Sequence, residues 1–191
     1  MNAALKEFAQ KGYQHASTNE IVKGAEISKG LIFHYFKNKK GLFLFLYDYS
    51  LAKVSETIYS KINWDEKDML IRYKETALLK MDLFMKYPDL FNFIKTAYSE
   101  SSSEVRNEVE NKNKQLLLNS YERVFKDVDL SKFREDIDPI RAIQIIIFSM
   151  EGFAAESQEK MKTLNLKDPY FEEIINELDS YIDLFRMTFY R

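Results

Sequence analysis

Residues 17–41 read STNEIVKGAEISKGLIFHYFKNKKG, and this stretch decides the architecture. Ser17 stands three residues before Glu20, the spacing of a capping box, and opens a short helix that ends near Gly24. The turn Ala25-Glu26-Ile27 follows, and Ser28 is placed to cap a second short helix running to about Tyr35. Upstream, Ala4, Leu5, Phe8 and Ala9 form one apolar stripe, which Gly12 stops as a C-cap glycine does. Helix, three-residue turn and helix on a preceding amphipathic helix is the geometry that lays the second helix in the major groove of DNA.

The side chains of that second helix suit the use. It begins with Ser28, Lys29 and Gly30, small or basic, so its free amides and dipole can approach base edges and phosphate oxygens. His34 and Tyr35 at its far end carry donors for phosphates. Lys37, Lys39 and Lys40 then put three cations at the start of the next helix, an unfavourable place unless an anion lies nearby. An ordinary solvated face is the plainer account of such a run, but its position after a reading helix favours phosphate contact. Phe33 and Phe36 read as core aromatics and Tyr35 as exposed.

Charge supports the division. The chain has 191 residues and a net charge of −2. Residues 1–41 hold seven lysines against three glutamates, +4, while the other 150 hold 21 basic and 27 acidic groups, −6. The expected domains are a helix-turn-helix unit over 1–41 and a larger helical unit over 42–191.

Outward from there nearly every segment has helical period, and the class is all-α with about nine helices. After the first three come helices over about 39–62, 65–87, from Pro88, and 101–128. Two more start at Asp138-Pro139 and Asp168-Pro169, where an N-cap acceptor precedes a proline at N1. Only Asp129 to Asp136 reads as loose.

Several chemistries are excluded. No cysteine is present, which removes disulfides, thiolate zinc sites and cysteine nucleophiles. Two histidines, neither with a glutamate three residues before it, make a metal site improbable, so no metal and no cofactor are expected. There is no phosphate loop, dinucleotide fingerprint or nucleophile elbow, and the reading is of a protein that is not an enzyme. Apolar runs are far short of the roughly 18 to 20 residues that span a bilayer, and no signal-peptide pattern opens the chain. The expected setting is cytoplasmic, without a membrane partner.

The set Phe8, Gly12-Tyr13, Ser17-Thr18, Ile21-Val22, Ile27 to Gly30, Phe33 to Phe36, Lys39 and Leu42 resembles the DNA-binding region of the TetR family of bacterial transcriptional regulators. The resemblance implies a homodimeric repressor that reads a palindromic double-stranded operator and is released by a small-molecule effector. Carried over by position, it implies that Thr18 and Lys39 meet phosphate, that Lys29, Gly30 and Leu31 face base edges, and that His34 and Tyr35 touch backbone or flanking bases; Ser17, Ser28 and Lys37 complete the expected DNA-binding set. Glu26 departs from the usual glycine of the turn, Val22 from alanine, and Leu31 from a small or hydroxyl residue. The first helix also starts at Met1, without the family's short basic lead-in, which is expected to lower affinity.

For the rest of the chain two roles are expected. On the last helix Phe171, Ile175, Leu178, Ile182, Phe185 and Phe189 recur at spacings of four and three, a sustained apolar seam. With Ile143, Ile147, Met150 and Ala154 of the preceding helix it is expected to build a four-helix dimer interface, the alternative being an intrachain core. Tyr73, Met81, Phe84, Met85, Phe91, Tyr98, Tyr121, Phe125 and Met150 are expected to line an apolar effector cavity, again against the alternative of a simple core. Glu75, Asp82, Asn92 and Gln144 are candidates to orient an effector. A reading from another class stays open: a helical protein-interaction module that uses the helix-turn-helix only as scaffold.

Overall fold

A computed structural model describes residues 1–161 and 169–191, without the side chains of 117, 118, 121, 158, 159, 161, 169 and 170. Asp168, expected to cap the last helix, and the Tyr121 side chain lie outside the described residues. Among those described there are nine α-helices and one 3₁₀ turn: α1 Asn2–His15, α2 Thr18–Ala25, α3 Lys29–Phe36, α4 Lys39–Tyr59, α5 Met69–Lys86, α6 Pro88–Tyr98, α7 Arg106–Phe125, the 3₁₀ turn Leu130–Lys132, α8 Pro139–Met161 and α9 Pro169–Phe189.

The helix starts follow local chemistry. Ser17 Oγ accepts from the Glu20 amide at 3.4 Å, Asn38 Oδ1 from Gly41 at 2.8 Å, and Asp138 Oδ1 from Ile140 at 2.9 Å. Gly12 has φ +66, so α1 breaks there before a last turn to His15. At Gly41 a Cβ would stand 2.1 Å from the Phe36 carbonyl oxygen, so the sharp α3–α4 corner admits only glycine.

Helix α4 stops at Tyr59 rather than near Ile62, and α5 starts at Met69 rather than near Asp65. The cause is Arg72, which is 1% exposed and donates to the carbonyls of Trp64 and Glu66, holding residues 64–66 as a turn. Asp68 then caps α5 through the amides of Leu70 (2.9 Å) and Ile71 (3.2 Å). The stretch 129–136 is anchored, not loose. The Arg134 amide donates to Phe189 O at 2.9 Å, Arg191 N to Lys132 O at 3.1 Å, and Phe133 is buried against Tyr190.

The helices form two compact units. The first, Met1–Ser60 with Lys86–Arg123, holds α1 to α4, α6 and most of α7. Its core is an aromatic cluster in which Phe43 packs edge-on to Phe8 (5.1 Å), Tyr13 (5.2 Å) and Phe93 (5.3 Å). The second, Lys61–Met85 with Val124–Arg191, holds nearly all of α5, the end of α7, α8 and α9. Its buried side chains include Met69, Leu70, Phe84, Ile146, Met150, Leu178 and Ile182. Among the described residues, no helix is long and apolar enough to cross a membrane.

Candidate functional site

The sequence of α3 leaves one buried anchor, Ile32, and turns most of the rest outward. Lys29, Gly30, Leu31, Phe33, His34 and Tyr35 are all exposed, with Leu31 at 44%, Phe33 at 43% and Tyr35 at 71%. Phe33 is therefore not a core aromatic as the sequence suggested. Its ring lies 5.8 Å from Lys29 Nζ, one turn away on the same face, and Tyr35 meets His34 edge-on at 5.1 Å. Phe36 does pack against the core, beside Phe45 at 5.0 Å. Ser28 is exposed and makes no side-chain cap hydrogen bond, which leaves its hydroxyl available.

The turn before α3 carries strain. Glu26 has φ 55 and ψ 37, the left-handed region that glycine fills without cost. The turn keeps its shape because the Glu26 amide donates to Lys23 O and the Ile27 amide to Val22 O.

The three cations after α3 have separate surroundings. Lys39 reaches back to α1, donating to the carbonyls of Gln14 (3.2 Å) and Ala16 (3.3 Å) and lying 4.7 Å from the centre of the Tyr13 ring. Lys40 pairs with Glu108 at 2.5 Å. Lys37, exposed and at φ 66, has no ion pair among the described residues. Ser17 and Thr18 at the start of α2 are half-buried, and the Ser17 amide donates to Glu7 Oε1 at 3.0 Å.

The residues expected to line an effector cavity are divided. Tyr73, Met81, Phe84 and Met85 on α5, Phe125 at the end of α7 and Met150 on α8 belong to the second unit, whereas Phe91 and Tyr98 on α6 belong to the first. Tyr98 is 69% exposed. Within the second unit Tyr73 stacks on Phe125 at 6.3 Å, and Met81, Phe84 and Met150 are buried. Two charges on the same helices, Lys80 of α5 and Glu151 of α8, are exposed. Burial raises the Tyr73 hydroxyl well above the ordinary phenol range, and the Glu151 carboxylate adds to the rise.

Of the residues expected at a dimer interface, Ile143, Ile147, Met150, Leu178, Ile182 and Phe185 are buried within their own chain, Phe171 and Ile175 are half-buried, and Ala154 is exposed. The large apolar side chains that α8 and α9 leave open among the described residues are others: Ile140 (54%), Ile145 (51%), Phe148 (70%), Leu184 (56%) and Met187 (82%). A period of 3.6 fixes that an apolar stripe exists but not its phase against neighbouring helices.

Comparison with known proteins agrees with the fold and the exposed α3. Residues 1–46 match the family model of bacterial regulatory proteins, tetR family. The HTH-type transcriptional regulator YuxN of Bacillus subtilis is 35% identical over 111 residues, 58% of this chain and 36% of that protein, so the match spans about a third of that relative. The HTH-type transcriptional regulator QacR of Staphylococcus aureus is 28% identical over 137 residues, 69% of each chain. Among solved structures, the transcriptional regulator FadR from Bacillus subtilis in complex with stearoyl-CoA superposes with a TM-score of 0.70 over 96% of this chain and 94% of that one, at 17% identity, a likeness of fold. These relatives are regulators of transcription, not enzymes. The exposed α3 thus lies within residues 1–46, the part of the chain that matches the DNA-binding domain of the tetR family of bacterial regulatory proteins, and the likeness of the whole chain to FadR is one of fold.

Proposed function

We propose that this protein is a repressor that binds a palindromic operator as a homodimer and leaves it when a small apolar molecule occupies the second unit. The observation that carries the reading is α3, an eight-residue helix held from below by Ile32, which exposes Lys29 and Phe33 on one side and Leu31 and Tyr35 on another. Exposed apolar groups beside a cation fit a groove that offers base methyls and phosphates together. Ser28, Lys29 and Lys37 then supply phosphate contacts, with Ser17 and Thr18 at the α2 start, while Lys39 holds α1 against the corner between α3 and α4.

Two copies are needed for a palindrome, with reading helices about 34 Å apart. The exposed Ile145, Phe148, Leu184 and Met187 of α8 and α9 supply the contact between copies. The intrachain pairing of α8 with α9 makes a two-helix half of a four-helix interface. An effector acts by its differential affinity for the DNA-competent separation and another one.

The test is binding to fragments selected from random DNA, titrated with salt. The logarithm of affinity should fall with log salt by about 0.9 per phosphate neutralised. A flat slope would favour a protein-interaction module whose helix-turn-helix is only scaffold.

A further inference from the structure

The three cations after α3 are not equally open to DNA. Lys37 has no ion pair among the described residues, and Lys39 is held by the carbonyls of Gln14 and Ala16. Lys40, the second residue of α4, meets a carboxylate of its own chain: its Nζ stands 2.5 Å from Glu108 Oε1, in the first turn of α7. The two side chains keep 38% and 39% of their surface, so the pair faces solvent and a third charged group can reach it. The frame beneath it is rigid. Leu42 and Phe43 of α4, and Val105 and Val109 on either side of Glu108 in sequence, are buried in the core of the first unit. Further along the same two helices Lys112 pairs with Asp48, and Tyr47 donates to Asn113. Helix α7 therefore presents Glu108 to Lys40 from a fixed position.

The two partners gain unequally from each other. A cation in the first turn of a helix is opposed by the helix dipole, so Lys40 is stabilised by any anion that comes near. Glu108 occupies the first turn of α7, where its own helix favours a carboxylate with or without Lys40. The hydrogen bond from Lys40 holds the Glu108 carboxyl below the ordinary carboxylate range, so mild acid does not part them. A competing anion can. A phosphate oxygen accepts a charge-assisted hydrogen bond as a carboxylate does, and a half-exposed ion pair is weak enough to yield to it.

We propose that Lys40 is a further phosphate contact of the DNA-bound protein and that Glu108 is its built-in competitor, a carboxylate that occupies the ammonium until a DNA phosphate displaces it. This rests on the reading of the chain as a DNA-binding regulator. The competition lowers affinity for DNA without touching α3. Helix α7 thereby sets how tightly the protein holds DNA, while base preference stays with the reading helix.

The experiment is binding of the full chain to a DNA fragment selected from random sequence, measured across a salt series. Lys40→Met should lower the slope of log affinity on log salt by about 0.9 per half-site, and Lys40→Arg should keep it. Glu108→Gln should raise affinity about two- to fivefold per half-site, the range for an exposed ion pair. That gain should vanish when Glu108→Gln is made together with Lys40→Met, because the two residues act through one contact. Asp48→Asn removes the same charge from the neighbouring pair but leaves Lys40 engaged, and should change affinity less than twofold. An unchanged slope in Lys40→Met, no gain or a loss from Glu108→Gln, or a gain that survives without Lys40 or is matched by Asp48→Asn would overturn the inference. The parent chain separates the two levels: a flat salt slope in the parent refutes the regulator reading, whereas a steep slope that Lys40→Met leaves intact refutes only the roles of Lys40 and Glu108.

Discussion

Tyr13 donates its hydroxyl to Glu104 Oε2 at 2.5 Å, while its own amide donates to Glu100 Oε2 at 2.6 Å. Both carboxylates lie in the corner between α6 and α7, so the end of α1 is fixed to that corner by charge-assisted bonds as well as by packing. Thr96 adds a third tie, donating its hydroxyl to Ala9 O at 3.0 Å. The +66 φ of Gly12 presents the Tyr13 amide to Glu100, and a Cβ there would meet the same carboxylate at 3.1 Å. Burial raises the Tyr13 pKa above the ordinary range, and the hydrogen bond to Glu104 raises it further, so the phenol stays a donor.

Removing the hydroxyl by Tyr13→Phe keeps the ring in the core and leaves Glu104 without its donor. The expected cost is about 1.5–3 kcal/mol, the range for a hydrogen bond to a charged group. Denaturant midpoints measure it, and a variant that unfolds with the parent would show that the bond contributes nothing to holding α1.

Lysines 37 and 39 should differ in kind. Lys37→Ala, at an exposed position without an ion pair among the described residues, should lower the salt slope of DNA binding by about 0.9 per half-site. Lys39→Ala removes the ties to Gln14 O and Ala16 O and its approach to Tyr13. It should weaken binding and lower thermal stability with the slope unchanged. Equal slope losses for the two would place both on phosphates.

Assembly has a similar contrast. Phe148→Glu with Met187→Glu puts charge on side chains 70% and 82% exposed, and sedimentation should show the parent as a dimer and the double variant as a folded monomer. Leu178→Ala, at a position with no exposure, should instead cost about 2–5 kcal/mol of folding stability. A double variant that still sediments as a dimer would move the interface elsewhere.

Acid should act on the second unit through Asp68. Burial by itself would raise its pKa, but hydrogen bonds from Lys132, the Ile71 amide and Tyr190 outweigh burial and hold it below the usual carboxylate range. A folded pKa below the unfolded value of about 3.9 stabilises the fold above that pH, and the gain disappears as pH falls through the folded pKa. Asp68→Asn should therefore lower stability at pH 7 and flatten the loss of stability below about pH 4. An unchanged acid limb in thermal melts would exclude Asp68 as its source.

The parts of this fold that were legible in the sequence are those where local chemistry governs. Ser17, Asn38 and Asp138 cap helices through bonds within three residues, and the α2–α3 turn follows from spacing alone. What was not legible depends on distant partners. Arg72 sets the gap between α4 and α5 by reaching Val124 O at 2.8 Å as well as the turn at Trp64 and Glu66. Lys39 is spoken for by α1, 23 and 25 residues away, and the phase of the α8 and α9 stripes depends on which neighbour each helix meets. Phe33 looked like core because it is aromatic and lies next to Ile32, yet on an eight-residue helix one buried position suffices and its neighbour points outward.

That outward Phe33 leads to a test of base reading. Together with Leu31 it offers apolar surface on the helix meant for the major groove, where the apolar group on a base edge is the thymine methyl. Lys29, 5.8 Å from the Phe33 ring, keeps its ammonium near enough to serve an adjacent phosphate or guanine. Burying one methyl against Phe33 is worth about 0.8 kcal/mol, roughly fourfold in affinity. Replacing thymine by uracil, one position at a time in a selected operator, should identify a position in each half-site with that loss. Phe33→Ala should bind the thymine and uracil operators equally, because the surface that sensed the methyl is gone. If the wild-type chain fails to distinguish thymine from uracil at every position, Phe33 touches backbone or nothing, and sequence preference must come from Lys29 and the amides at the start of α3.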